Sequence, residues 1–245
     1  MYKRIKQILK FIVPKNLLFK YEDKFRAILY VFYQGNNFEC PICDKKLRSF
    51  IALKNSDLLC PSCGSLSRDR RLWTILSDEF LKENISILDF SPSRSLFKKF
   101  KKVKNISYSS TDLSGDFHAD YQFDITHIQS KNCDYDLIIC YHVLEHIPDD
   151  ILAMQELHRV LTEGGTCLIQ TPFKEGNIYE NPIIVTEKER LLHFGQEDHV
   201  RIYSLSGLEE RLKRVGFKVE IRNYPDTLEN RYGFKSNENI FFCKK

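Results

Sequence analysis

Four of the eight cysteines fall in two tight pairs, CPIC at 40–43 and CPSC at 60–63, with sixteen residues between them. Two Cys-x-x-Cys knuckles at this spacing are a zinc-ribbon signature. Each knuckle presents two sulfurs from one turn, so Cys40, Cys43, Cys60 and Cys63 can surround a single Zn2+ tetrahedrally. A pair of redox dithiols is the alternative chemistry. With cysteine at all four positions no corner is left for water, and an ion held there would be structural. The segment SLSRDRRLW follows at once. Its Arg68, Arg70 and Arg71 can hold a phosphate or an acidic sugar, or can pair with Asp69 and Asp78 at the start of a solvated helix.

A second constellation is acidic. Asp89, Asp112 and Asp124 close three successive apolar runs, ISILDF, ISYSSTD and the stretch from Ala119 to Ile125. A strand ending in an acid, a turn, a helix and a second strand ending in an acid is the layout of nucleotide-binding Rossmann-like folds, whose ligands lie at the carboxyl ends of the strands. The two oxygens of Asp112 match the two hydroxyls of a ribose. Asp124 can accept from an adenine amino group while Ile125 covers the ring. Taken singly, each aspartate is equally a turn or cap residue.

These residues need elements to position them. Helical spacing of Phe25, Ile28, Leu29 and Phe32 predicts a helix from Tyr21 to Gln34, stopped by Gly35 at its C′ position. From Asn84 onward strand-like and helix-like segments alternate, which predicts an α/β domain with a Rossmann-like, doubly wound, mainly parallel sheet. The predicted strands are 85–90, 106–111, 119–125, 136–141, 166–171, 217–222 and 239–243. A helix is expected over 93–104. Another starts near Pro148, Asp149 and Asp150 and ends at Gly164 and Gly165. A third carries a capping box of Ser206 and Glu209 and stops at Gly216. Residues 173–203 show no clear period, and loops of that length are usually functional. The domains are therefore a basic helical segment (1–37), a zinc ribbon (38–72) and a Rossmann-like domain (73–245) with an insertion at 173–203.

In order, LDFSPSRSL, STDLS, DYQFDIT, DYDLIICYHVLEHIPDD and MQELHRVLTEGGTCLIQTP resemble the class I S-adenosylmethionine-dependent methyltransferases, specifically the type 11 group. VLEHI and RVLxxGG carry most of the likeness. The zinc ribbon and FGQEDHVRIY resemble a bacterial subgroup often associated with surface-sugar genes. The resemblance implies S-adenosylmethionine as cofactor, bound by Asp89, Phe90, Ser91, Pro92, Asp112, Leu113, Asp124, Ile125, Cys140, Tyr141 and His142. One departure stands out. The family's first motif is glycine-rich, whereas Phe90, Ser91, Pro92 and Ser93 occupy it here. Glycine lets the backbone approach the cofactor, and Pro92 is expected to hold Ser91 extended.

Tyr141 and His142 should then lie beside the transferred methyl, with His142 the first candidate base for the acceptor. Glu145 and His146 read as the start of a helix. In the insertion, His199 and Arg201 form a second candidate pair facing the acceptor, or else they fasten the insertion to the sheet. The expected function is methylation of a small-molecule or glycan-linked acceptor. RNA methylation and a catalytically inactive zinc-stabilised binding module are the alternatives.

Charge bears on that choice. The net charge of +4 is concentrated at the start, because residues 1–38 carry eight basic and two acidic side chains and the rest is therefore −2. Nucleic-acid enzymes carry a basic footprint on the folded body, so a nucleic-acid partner is not expected. Residues 1–20 hold six basic and no acidic side chains and can make a weak peripheral contact with an anionic membrane surface. Pro14 cuts their apolar part short, so the segment is expected to be retained in the protein. A core of this size needs no disulfide staples, and a reducing, cytoplasmic setting is expected.

Overall fold

The computed structural model describes residues 15–54, 56–115, 117–226 and 229–245, with side chains from Tyr21 onward. The segment 1–14, and with it the membrane contact expected of residues 1–20, lies outside the described residues. The chain divides into two compact units. One contains the residues up to Asp78 with 94–99 and 226–236; the other contains 79–93, 100–225 and 237–245.

The first unit is built from α1 (Lys15–Val31), β1 (Gln34–Cys40), β2 (Lys45–Leu47), β3 (Ile51–Ala52), β4 (Leu58–Leu59), α2 (Ser67–Ile75) and most of α3 (Arg94–Phe100). Strands β1 and β2 pair antiparallel, as do β3 and β4. Helix α1 stops at Val31, four residues before Gly35. That glycine instead lies in β1, where a Cβ would fall 2.7 Å from Arg48 Cα. It permits a close approach between strands and is not a helix cap. Residues 229–236 also belong to this unit: Glu39 N–H donates to Arg231 O (3.0 Å), and Arg70 donates to Tyr232 O (2.6 Å) and Gly233 O (2.6 Å).

The second unit holds a six-stranded sheet formed by β5 (Ser86–Phe90), β6 (Ser107–Thr111), β7 (Tyr135–Tyr141), β8 (Leu161–Gln170), β11 (Lys218–Tyr224) and β12 (Glu238–Lys244). Its order is β11-β12-β8-β7-β5-β6. The four strands β8, β7, β5 and β6 are parallel, and the β11–β12 hairpin adds antiparallel to β8. This is the Rossmann-like arrangement of class I methyltransferases. The central strands are apolar on both faces, as sheets covered on both sides require. Met154 and Leu157 of α4 (Asp150–Val160) and Leu208 and Leu212 of α6 (Leu205–Val215) share one buried cluster with Leu88, Ile138, Ile169 and Phe241.

Several expected boundaries move. The stretch 119–125 is not a strand. It contributes one parallel bridge, Thr111 to Tyr121, and is tied down by side chains: Asp120 accepts from Ser110 N–H and Oγ, and Phe123 N–H donates to Thr111 Oγ1. Helix α4 ends at Val160, not at Gly164, because Leu161 already begins β8. Its N-cap is Asp149, which accepts from Leu152 N–H (3.0 Å). The cap of α6 is Ser204, which accepts from Gly207 N–H, rather than Ser206. The insertion is also more ordered than its sequence suggests. It carries β9 (Tyr179–Glu180) paired with β10 (Arg201–Ile202), and α5 (Glu187–Phe194), which opens with a Thr186/Glu189 capping box and closes on Gly195.

Candidate active site

The carboxyl ends of β5 and β6 bring the first aspartates together. Asp89 is 2% exposed and accepts from the Tyr108 phenol at 3.0 Å. Burial beside that carboxylate pushes the phenol well above its ordinary range. Phe90 is buried, and the chain then turns sharply at Ser91, whose φ is +50°. This left-handed backbone is one that glycine takes readily, so Ser91 is not extended as expected before Pro92. The turn is held by its own bonds: Ser91 N–H donates to Thr111 O (2.8 Å) and Ser91 Oγ to Asp112 Oδ1 (2.8 Å). A left-handed non-glycine residue costs on the order of 1–2 kcal/mol, and such strain gathers at functional sites.

Asp112 is itself 4% exposed and uses both oxygens to hold hydroxyls. Ser91 binds Oδ1, and Ser114 Oγ binds Oδ2 at 2.8 Å. The Phe117 N–H also donates to Oδ2 (3.3 Å). A carboxylate has about four acceptor positions, so one further hydroxyl can join on Oδ1, and a second would take the place of Ser114 or Phe117 on Oδ2. Next to it Leu113 is 58% exposed and offers an apolar surface. Pro92 and Ile125 are buried nearby in the chain. Asp124 is exposed, and its carboxylate accepts from Thr126 N–H and Oγ1, which draw it below its usual range. It closes a local turn.

At the end of β7, Cys140 is wholly buried; burial raises its thiol pKa, and only its backbone can face a ligand. Tyr141 is half-buried. His142 also has a left-handed φ, +56°, fixed by its N–H donating to Gln170 O (2.8 Å). Its Nδ1 lies 3.1 Å from Glu145 Oε1. Burial alone would raise the pKa of Glu145, which is 1% exposed, but the bond and charge of His142 hold it below the ordinary carboxylate range. An ionised Glu145 can accept from Nδ1–H, the tautomer in which Nε2 is the acceptor. The sequence reading singled out His142 and passed over its partner.

The insertion supplies two different things. Arg201 is 5% exposed and fully engaged. It donates to Glu180 (2.9 Å), Leu144 O (3.1 Å), Pro148 O (2.8 Å) and Ile147 O. Arg201 therefore fastens the insertion to the segment after β7, and is not part of an acceptor-facing pair. Asp150 joins the same fastening by accepting from Tyr203 Oη and from Arg211, which also pairs with Glu180. His199 behaves differently. It is 3% exposed, its Nε2 has no hydrogen-bond partner among the described residues, and its ring meets His146 edge to face at 4.6 Å. Burial and the neighbouring His146 lower its pKa. Where the insertion leaves and rejoins the sheet, a cavity of about 430 Å3 is lined by Phe173, Lys174, Ser204 and Ser206, among others. A larger one, about 540 Å3, is lined by His127, Glu156, Arg159 and neighbours, none of which stands at the carboxyl edge of a strand.

In the other unit the two knuckles are built alike. Cys40 O accepts from Asp44 N–H and Cys60 O from Gly64 N–H, and Asp44 and Gly64 both have positive φ. These turns bring Cys40 Sγ to 3.6 Å from Cys63 Sγ and Cys43 Sγ to 3.8 Å from Cys60 Sγ. A tetrahedron of sulfurs about 2.3 Å from zinc has edges of about 3.8 Å, so the four could hold that ion. Arg70 and Arg71 are not free to bind an acidic ligand. Arg70 is fully buried over the Phe50 ring and donates to Leu58 O, Ser65 O, Tyr232 O and Gly233 O. Arg71 lies over Phe234 and donates to Lys235 O.

Residues 67–220 match the family described as "Methyltransferase domain". A ubiquinone biosynthesis O-methyltransferase of Psychrobacter arcticus is 26% identical over 109 residues, which is 43% of this chain and 42% of that protein. The chain thus matches less than half the length of this curated relative. Among solved structures, a SAM-dependent methyltransferase of Archaeoglobus fulgidus aligns with a TM-score of 0.53 at 15% identity, covering 74% of this chain and 95% of the other. A phosphoethanolamine N-methyltransferase 2 of Haemonchus contortus, solved with phosphomonomethylethanolamine and S-adenosylhomocysteine, aligns with a TM-score of 0.51 at 16% identity, covering 72% and 53%. At these identities the structures establish a shared fold, and the family match over 67–220 goes further: the chain belongs to the methyltransferase-domain family.

Proposed function

We propose that this chain methylates a hydroxyl or amine of a small-molecule or glycan-linked acceptor, with S-adenosylmethionine as methyl donor. The observation that carries this reading is the Asp112 carboxylate, which already holds one hydroxyl on each oxygen at the end of β6. In this reading Asp112 binds the ribose hydroxyls, Leu113 and Ile125 border the adenine, and Asp124 accepts from its amino group once Thr126 shares it. The Ser91 turn and the backbone of Phe90, Pro92 and Cys140 border the methionine part, with Asp89 holding the turn from behind.

When bound, the cofactor supplies an electrophilic methyl group. His142 Nε2 takes the proton that the acceptor must lose, while Glu145 keeps the imidazole oriented. Positioning of the acceptor against the methyl supplies most of the acceleration. The acceptor is assigned to the space beside His142; the cavity of about 430 Å3 at the end of β8 has neither His142 nor His199 in its lining and is not its seat.

The four cysteines are assigned a structural Zn2+, on the match of sulfur separations to a tetrahedral site. Placement in the type 11, zinc-ribbon subgroup rests on those cysteines together with VLEHI and RVLxxGG. The test is transfer of a labelled methyl group from S-adenosylmethionine to pools of small metabolites, glycans and RNA. Label in the first two supports the reading. Label confined to RNA, or none with cofactor bound, overturns it.

A further inference from the structure

Three side chains at the end of β7 and in the insertion converge, and the bond of Glu145 to His142 engages only one of its carboxylate oxygens. Glu145, His146 and His199 each offer one ligand atom, and these atoms lie within 4.8 Å of one another. Among the described residues Glu145 Oε2 and His199 Nε2 have no hydrogen-bond partner, and the two residues are 1% and 3% exposed. A buried unpaired polar atom costs on the order of 1–3 kcal/mol, and two on residues whose ligand atoms converge point to something that both would bind. In the tautomer with Nε2 unprotonated, His199 and the Glu145 carboxylate offer each other only lone pairs, and a cation satisfies both.

We propose that Glu145, His146 and His199 form a second metal site, distinct from the four cysteines, for a divalent transition ion such as Zn2+. Two imidazoles and one carboxylate favour zinc and its neighbours over Mg2+ or Ca2+, which prefer oxygen ligands. The surroundings match those of ligated imidazoles and carboxylates. Asp198 Oδ2 lies 3.1 Å from His146 Nδ1 and can fix the tautomer that leaves Nε2 to bind. His142 Nδ1 occupies Glu145 Oε1 and leaves Oε2 for the ion. His146 is 28% exposed, which gives an ion a way in. His2Glu with nothing further is the ligand set of sites that keep an open position, and that position suits an oxygen of the acceptor or a water.

Ion binding stands on the ligand geometry alone; its use in holding an acceptor oxygen rests on the methyltransferase reading. The test is titration of the full chain, as purified and freed of loosely held metal, with Co2+ followed by visible absorption. Sulfur-to-cobalt charge transfer marks the cysteine site. The proposal expects an equivalent of Co2+ whose spectrum lacks that band and whose affinity falls at least tenfold in both Glu145→Gln and His199→Gln. It is overturned if all Co2+ bound by the unaltered protein shows the thiolate band, or if the thiolate-free equivalent survives in both variants. Circular dichroism checks that the variants fold. S-adenosylhomocysteine binding by the unaltered protein is measured on the same samples. Its absence would count against the methyltransferase reading and leave the metal result standing.

Discussion

Arg201→Ala separates a fastening role for the insertion from a catalytic one. The guanidinium, 5% exposed, serves three backbone carbonyls, those of Leu144, Ile147 and Pro148, and the Glu180 carboxylate. Truncation takes the guanidinium from Ile147 O and Pro148 O where water has little access, while Leu144 O keeps the Ile147 N–H and Tyr203 Oη. Glu180 keeps Arg211, so its carboxylate is not stranded. Each buried acceptor left unsatisfied typically costs about 1–3 kcal/mol, about 2–6 kcal/mol for two. For a chain of this size, 1 kcal/mol shifts the melting temperature by about 2–4 °C, so a fall of about 4–24 °C is expected. The assay is thermal unfolding by circular dichroism, with limited proteolysis to locate opening between β9 and β10. S-adenosylhomocysteine affinity should stay within a few-fold. A melting temperature within about 2 °C of the unaltered protein, with cleavage in the insertion unchanged, would refute the reasoning.

Other perturbations test other parts of the account. Asp112→Ala should weaken S-adenosylhomocysteine binding by about 1.5–3 kcal/mol, the range for hydrogen bonds to a charged group; calorimetry reads this as roughly a ten- to hundredfold rise in Kd. Ser114→Ala, which removes only an internal hydroxyl from the same carboxylate, should change affinity far less. Cys40→Ser should lose the chelator-resistant zinc and unfold the cysteine-bearing unit, because ion binding and folding are coupled in such small sites; metal analysis with proteolysis shows whether it does. Acid should loosen the insertion. Burial pushes Glu180 up, but its bonds to Arg211 and Arg201 hold it below the ordinary glutamate range. Its contribution is therefore complete above that range and lost as pH falls through it. Glu180→Gln should make unfolding less steep in acid.

Periodicity and punctuation made the sheet legible. The strands from Ser86 to Phe90 and from Tyr135 to Tyr141 are continuous apolar runs, and Gly216 does cap α6 in the left-handed conformation. The stretch 119–125 misled because its backbone pairs with β6 only around Asp120 and Tyr121, and side-chain bonds to Ser110 and Thr111 hold the rest. Helix α5 escaped for the opposite reason. Thr186, Glu189 and Gly195 are legible start and stop signals, but Leu191 and Leu192 remain exposed and produce no amphipathic period. At the candidate site, spacing along the chain singled out Asp112 and His142, which lie just past the ends of β6 and β7. It could not find the buried contacts between distant segments: Arg201 on the carbonyls after β7, and His199 facing His146 across more than fifty residues of sequence. Nor could it show that the 229–236 segment would occupy Arg70 and Arg71.

The central claim is that the carboxyl ends of β5, β6 and β7 hold an adenosyl cofactor despite a first motif without glycine. A crystal structure of the full chain grown with S-adenosylhomocysteine tests it most directly. The account predicts one molecule per chain, with both ribose hydroxyls on the Asp112 carboxylate and the sulfur on the His142 side. Failure of the ligand to bind at saturating concentration, or binding with the ribose away from Asp112, would contradict it.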